Sequence, residues 1–321
     1  MLLKLPKLER KVYQKVGIKN VARQLVQPGI ELDVVKISST RSGMTVSYGQ
    51  EEYYLTCNKG DCPADKRLVL LTNNRPTEES IANGEIKVKG WLKHPGLQDA
   101  LTPESIIKTW TSCFSYREED PESDSPGLRQ PQIGALHMIM GHLKMPLDTA
   151  TVVMPTGTGK TETMLSALIA NKCRRLLVIV PSDSLRRQIS AKFATLGLLK
   201  QFEIVAEEAA YPIVGVMSQA FKTVEELYEF TQTCNVLVTT MQILTGLSEE
   251  QTQLLVENCS NVFIDEAHHV KASTWNTFKE KFPAERIIQF TATPFRNDGK
   301  RLDGKIIFNF PLREAQRQGY F

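Results

Sequence analysis

Six apolar-rich runs, at 149–154, 176–180, 212–217, 235–239, 261–265 and 286–290, punctuate the chain after Gln130, and stretches with helical spacing separate them. In the clearest separator Met164, Leu165, Leu168 and Ile169 share one helical face. Short runs without polar alternation suit strands buried on both faces, and their alternation with helices predicts a parallel sheet wrapped by helices, an α/β fold. The first 116 residues read differently. Leu5, Leu8, Val12 and Val16 fall at helical spacing, Pro28-Gly29 breaks the pattern, and β-like runs follow at 30–38, 43–48, 51–57, 67–72 and 85–92. Between the two parts, residues 117–127 hold five carboxylates and two prolines with no apolar side chain, so they cannot join a core and read as an exposed linker. The expected organisation is a small α+β accessory domain over 1–116, an acidic linker over 117–127 and an α/β domain over 128–321.

The 321-residue chain, 41% hydrophobic, has room for about two domains and a substantial core. No stretch approaches about 18 uninterrupted apolar residues, and the opening Met-Leu-Leu-Lys-Leu-Pro-Lys is too charged and broken for a secretion signal. A cytoplasmic protein with no membrane association is expected. Six cysteines, at 57, 62, 113, 173, 234 and 259, are dispersed, which favours reduced thiols over a disulfide framework. Cys57 and Cys62 are close enough for half a zinc site, but only the isolated His94 and Cys113 could complete it, so a turn with two half-buried thiols is expected. Residues 1–116 carry 17 Lys and Arg against 12 Asp and Glu, a net of +5 in a chain of +3. The bias peaks at Lys4, Lys7, Arg10, Lys11, Lys15, Lys19 and Arg23, which oppose only Glu9; such a face suits phosphates and equally suits plain solvation.

The candidate chemistry lies in the second part. Residues 154–161 read Met-Pro-Thr-Gly-Thr-Gly-Lys-Thr, after one apolar run and before the Met164 helix pattern, which is the strand, phosphate loop, helix context. Pro155, Thr156, Gly157, Thr158 and Gly159 form the loop, in which the glycines let backbone N–H groups approach phosphate oxygens without a Cβ in the way. The helix start adds its positive end, Lys160 reaches the β- and γ-phosphates, and the Thr161 hydroxyl suits Mg²⁺. The full pattern has a small residue where this chain has Met154, so the loop entry has a longer side chain to accommodate. About a hundred residues on, Val262-Phe263-Ile264 ends in Asp265-Glu266-Ala267-His268. Asp265 suits Mg²⁺, Glu266 an attacking water, and His268 the γ-phosphate.

These motifs resemble those of superfamily 2 helicases and translocases of the DEAH-box kind, most closely the branch that includes restriction-enzyme subunits. Thr291-Ala292-Thr293-Pro294-Phe295-Arg296-Asn297-Asp298-Gly299 is similar to that family's third motif, which assigns Thr291 and Thr293 to coupling hydrolysis with movement on nucleic acid. Leu128-Arg129-Gln130-Pro131-Gln132 resembles the adenine-recognition element, with Arg129 beside the site and Gln132 as the reader. Pro181 to Gln188, with Ser182 and Ser184, and the strand end Thr239-Thr240 resemble the segments that face the nucleic acid, although a capped helix and an ordinary strand end explain them equally. The resemblance implies a RecA-like phosphate-loop domain, an ATP hydrolase using ATP and Mg²⁺, and a nucleic-acid partner, expected to be double-stranded DNA. It also implies a second RecA-like domain bearing arginines for the ATP site, expected beyond Phe321 in the same chain or from a partner chain. The alternative is a nucleic-acid-binding or regulatory module switched by nucleotide without motor activity. Glu85-Ile86-Lys87 downstream of Asp61 or Asp65 has the makings of a metal-dependent nuclease core, but nothing in the pattern fixes the aspartate.

Overall fold

The computed structural model describes residues 1–13, 19–98, 100–145, 148–267, 278, 281–295 and 302–320. In chain order the first elements are β1 (Leu2–Leu5), β2 (Leu8–Lys11), β3 (Val21–Gln27), β4 (Ile30–Asp33), β5 (Val35–Ser39), β6 (Gly43–Tyr48), β7 (Glu51–Thr56), β8 (Leu68–Thr72), α1 (Glu78–Ala82), β9 (Val88–Lys93) and α2 (Pro103–Thr109). There follow α3 (Gln130–Lys144), β10 (Ala150–Val153), α4 (Lys160–Ala170), β11 (Leu176–Val180), α5 (Asp183–Thr195), β12 (Ile213–Val216), α6 (Val224–Gln232) and β13 (Val236–Thr240). The last are α7 (Met241–Leu244), α8 (Glu249–Asn258), β14 (Asn261–Asp265), β15 (Ile287–Thr291), β16 (Lys305–Asn309) and α9 (Leu312–Arg317). Two compact units divide the chain, Met1–Arg10 with Leu25–Leu101, and Lys11–Gln24 with Thr102–Phe321.

The first unit holds a mixed sheet in the order β5-β6-β7-β8-β9, parallel only between β7 and β8, and an antiparallel β1-β4 pair. Leu3, Leu5, Leu32, Met44, Val46, Leu55, Leu70 and Ile81 form its core. The helix expected at the start of the chain is replaced by β1 and β2. Pro6 interrupts the segment, and Leu3 and Leu5 point inward while Leu2 and Lys4 face solvent, so the two-residue period of a strand overrides the helical spacing. Val16, the last residue of the expected helix, lies outside the described residues.

The second unit is built on strands in the order β16-β10-β15-β14-β11-β13-β12-β3, all parallel except β3, which pairs antiparallel with β12. Every residue of β10, β11, β13, β14 and β15 is buried, which is why these runs lack polar alternation. β3 went unread in the sequence; with it the unit recruits residues upstream of the expected boundary. The acidic segment lies inside this unit, exposed but turned tightly back on itself by bridges from Glu118 to Leu128 and from Asp120 to Ser125. The parallel strands deliver their carboxyl ends side by side. Phe263 pairs with Ile288 and Val153 with Thr291, so β15 is the single strand between the ends of β10 and β14.

A buried guanidinium ties the opposite ends of the strands together. Arg175, 1% exposed, donates to the Cys234 carbonyl at 3.1 Å, the Asn258 carbonyl at 3.2 Å and Gln232 Oε1 at 3.3 Å, and burial pulls its pKa below the usual value. Arg175→Ala removes the donors from all three acceptors and is expected to cost about 3–5 kcal/mol. Arg175→Lys recovers only part of this, because one ammonium cannot match the planar fork. Urea unfolding checks both, and a loss below about 1 kcal/mol for the alanine variant contradicts the assignment.

Candidate functional site

β10 ends at Val153, and the chain enters the loop through Met154. Its side chain is fully buried among core residues, with the Thr163 hydroxyl donating to the sulfur at 3.9 Å. The longer side chain is thus accommodated by pointing away from the loop. Thr158 closes the turn by donating from Oγ1 to the Pro155 carbonyl at 2.7 Å. Gly157 and Gly159 take φ of +88° and +92°, which other residues adopt only under strain. A Cβ at 159 would also lie 2.1 Å from Gln132 Nε2, so a larger residue would displace the Gln132 amide as well as strain the backbone. α4 then runs eleven residues from Lys160, with Thr161 half-buried in its first turn, and its free N–H groups face the loop.

Lys160 is 8% exposed, and its Nζ lies 3.3 Å from the Met154 carbonyl and 3.1 Å from Glu266 Oε1. Glu266 follows β14 with φ +50°, a left-handed conformation that costs a non-glycine residue on the order of 1 kcal/mol or more, and its N–H donates to Asp265 Oδ1 at 3.1 Å. The backbone turn therefore brings the second carboxylate to the lysine. Asp265, 5% exposed, has its pKa pushed up to about 6, first by burial and then by the charge of Glu266, against the pull of Lys160. Thr291, at the end of β15, accepts from the Met154 N–H through its carbonyl at 2.9 Å and donates from its hydroxyl to the Thr293 carbonyl at 2.7 Å. Thr293 Oγ1 in turn accepts from the Phe295 N–H at 3.3 Å. His268 lies outside the described residues, as do Arg296 to Gly299 of the third motif.

At the other side of the loop, Arg129 Nη1 donates to the Gly157 carbonyl at 2.9 Å. The Gln132 amide accepts from the Arg129 N–H at 2.7 Å and donates to the Gly159 carbonyl at 3.2 Å. Ser182 caps α5, its Oγ accepting from the Leu185 N–H at 3.3 Å, and Ser184 is exposed beside it. Thr239 and Thr240 are buried instead, the Thr239 hydroxyl without a hydrogen-bond partner. The structure thus assembles Pro155 to Thr161, Arg129, Gln132, Asp265, Glu266, Thr291 and Thr293 around one sheet end, and it keeps the Thr239 hydroxyl off the surface.

The residues fit a divalent cation. Asp265 is a buried carboxyl whose pKa is raised first by burial and then by the charge of Glu266, and the charge of a dication would offset both. In the first unit the alternatives find less support. Cys57 and Cys62 are exposed, Asp61 accepts a hydrogen bond from the Tyr54 hydroxyl at 2.6 Å, and no group of three or more His, Cys, Asp or Glu that could hold a metal occurs among the described residues. The basic opening is partly neutralised, with Lys4 paired to Glu31 at 2.7 Å and Lys7 to Glu9 at 2.5 Å. Among the described residues no helix is long and apolar enough to cross a membrane.

A nucleotide-phosphate loop beside an Asp-Glu strand end on a parallel sheet defines a phosphate-loop ATPase fold. The family model described as "Type III restriction enzyme, res subunit" matches residues 125–296, more than half of the chain, and the chain belongs to that family. It is 26% identical over 257 residues to "Putative helicase 22" of Sulfolobus islandicus filamentous virus, covering 76% of this chain and 42% of that protein. It is 27% identical over 230 residues to the ATP-dependent helicase fft1 of Schizosaccharomyces pombe, covering 67% of this chain and 23% of that one. The chain therefore spans less than half the length of these curated relatives. Among solved structures, a nuclease-deletion mutant of the type ISP restriction-modification enzyme LlaGI, in complex with a DNA substrate mimic, is 18% identical with a TM-score of 0.39, over 61% of this chain and 21% of that one.

The raised Asp265 pKa carries a stability consequence. The folded carboxyl titrates near 6 and the unfolded one in the usual range near 3.8, so above pH 6 the fold bears a charge it disfavours, and the cost fades as the pH falls from 6 toward 4. Asp265→Asn is expected to raise the melting temperature of the nucleotide-free chain at pH 8, with the gain shrinking by pH 4.5. Melting curves at the two pH values check this, and a lower melting temperature for the variant at pH 8 contradicts it.

Proposed function

We propose that the chain is the accessory region (1–116) and first RecA-like ATPase domain (128–321) of an ATP-dependent nucleic-acid helicase or translocase that acts on double-stranded DNA. The observation that carries this reading is the meeting of Lys160 and Glu266 at 3.1 Å, beside the buried Asp265, across the single strand β15. Lys160 exchanges Glu266 for the β- and γ-phosphates when ATP binds, which frees the Glu266 carboxylate to take a proton from the attacking water. Asp265 and the Thr161 hydroxyl would hold Mg²⁺, which would supply neutralisation of phosphate charge. His268, which lies outside the described residues, is assigned to the γ-phosphate by the motif alone. Pro155 to Gly159 wrap the phosphates with backbone N–H groups. Gln132 keeps one amide hydrogen and one oxygen lone pair unused after its two hydrogen bonds, a donor and an acceptor that complement the N6 and N7 edge of adenine.

Thr291 and Thr293 are the proposed coupling residues. The Thr291 carbonyl holds the entry of the phosphate loop through the Met154 N–H, so a change at the loop is passed directly to the segment after β15. The nucleic acid lies along the α5 start with Ser182 and Ser184, and along the β13 end, where the buried Thr239 and Thr240 support the backbone rather than touch the strand. The second wall of the ATP cleft comes from another RecA-like domain, in the same chain or in trans, a reading supported by the greater length of the relatives. The proposed location is the cytoplasm.

In a protein that includes that second domain, Glu266→Gln is expected to leave ATP bound and to lower DNA-stimulated turnover at least about a hundredfold, because the amide keeps the shape and cannot take a proton. Steady-state ATPase with and without duplex DNA is the check. Turnover within about twofold of the unaltered protein removes Glu266 from its role. ATP binding with no DNA-stimulated turnover in the unaltered protein favours the nucleotide switch.

A further inference from the structure

Arg129 is 40% exposed, and a long side chain at such a position ordinarily samples many rotamers. Here its guanidinium is held on three sides. Nη1 donates to the Gly157 carbonyl at 2.9 Å, Nε lies 3.7 Å from Glu119 Oε2, and the ring of Tyr320 packs beneath it with 5.2 Å from the guanidinium carbon to the ring centre. The first contact is to the phosphate loop itself, at one of its two left-handed glycines. A charged donor on that carbonyl fixes the peptide plane, and with it the direction of the neighbouring N–H groups.

Tyr320 is delivered to this place by deliberate local structure. α9 ends in a turn where Gly319, at φ +74°, donates to the Gln316 carbonyl at 3.1 Å and Tyr320 donates to the Ala315 carbonyl at 3.0 Å, the six-to-one closure of a glycine-capped helix. The ring then stands edge-on to Phe310 at 6.1 Å, and Gln318 donates to Gln130 Oε1 at 3.4 Å. Phe310 is itself tied to β10, its N–H donating to the Val153 carbonyl at 2.9 Å. The strand that feeds the loop therefore also carries, through β16 and α9, the ring that braces the loop from the far side. Burial and the charge of Glu119 raise the Tyr320 phenol above its usual range, in keeping with its seat beside the acidic hairpin.

We propose that Tyr320 is a positioning residue for nucleotide binding: its ring holds Arg129 on the Gly157 carbonyl, and the segment 305–320 thereby sets the conformation of the phosphate loop. The inference rests on the reading of the site as an ATP site. It adds to that reading a residue outside every motif and a physical link from the loop to the helix that follows β16.

The test is calorimetric titration of Mg-ATP into the 321-residue chain. Tyr320→Leu keeps the apolar bulk and loses the ring face, and is expected to weaken Mg-ATP about three- to tenfold, the range of a cation–π contact at a partly exposed site. Tyr320→Phe keeps the ring and restores the affinity. In an Arg129→Leu background, Tyr320→Leu is expected to add less than about twofold, because the partner it acts through is gone. Melting temperatures separate binding from folding: should Tyr320→Leu melt early, the Phe variant and the double-variant comparison at a temperature where all are folded decide. Unchanged affinity in Tyr320→Leu, or fully additive losses with Arg129→Leu, overturns the proposal. Failure of the unaltered chain to bind Mg-ATP at all overturns the ATP-site reading instead.

Discussion

One buried cation, Lys160, paired with the second of two adjacent carboxylates, organises this site. Lys160 sits almost out of solvent, paired with Glu266, and its charge also acts on the buried Asp265 alongside. The arrangement is unbalanced by design of the backbone, since only the left-handed turn at Glu266 brings both carboxylates to one place. Burial first, and the charge of Glu266 second, raise the Asp265 pKa, so the site suits a further positive charge with oxygen affinity near Asp265 and a negative one for Lys160. The proposed magnesium-bound polyphosphate would supply both.

Everything that locates these charges follows from the strand order. A parallel sheet sends all its carboxyl ends to one edge, and β10, β15 and β14 are consecutive there, so the phosphate loop, the Thr291 turn and the Asp265 end are neighbours. The Met154 N–H bond to Thr291 couples the first two without any side chain. The strain at Glu266 is sustained by the rigidity of the five wholly buried strands behind it. Arg175 secures the opposite edge, where strand beginnings would otherwise leave carbonyls of 234 and 258 without donors.

Much of this was legible in the residues. The buried strands announce themselves because they have no polar face to hide, and the phosphate loop because glycine takes its left-handed angles without strain and leaves room for Gln132. What escaped reading depends on distant partners. The opening residues have apolar spacing compatible with a helix, and only the burial of Leu3 and Leu5 against β4 and its neighbours settles them as strands. β3 joins the large sheet by pairing with β12, nearly two hundred residues away, which no local pattern encodes. Thr239 has a strand-end sequence suited to surface contact, yet packing buries it. Tyr320 belongs to no motif; its only signal is the Gly319 that ends α9 and turns the chain back.

The most direct measurement is calorimetric titration of Mg-ATP into the unaltered chain and into Lys160→Ala. The account predicts one saturable, magnesium-dependent site in the first and no measurable binding in the second with its melting curve intact, because the alanine removes the cation aimed at the phosphates. Equal affinity in the two proteins would contradict it, since Lys160 would then have no part in holding the nucleotide.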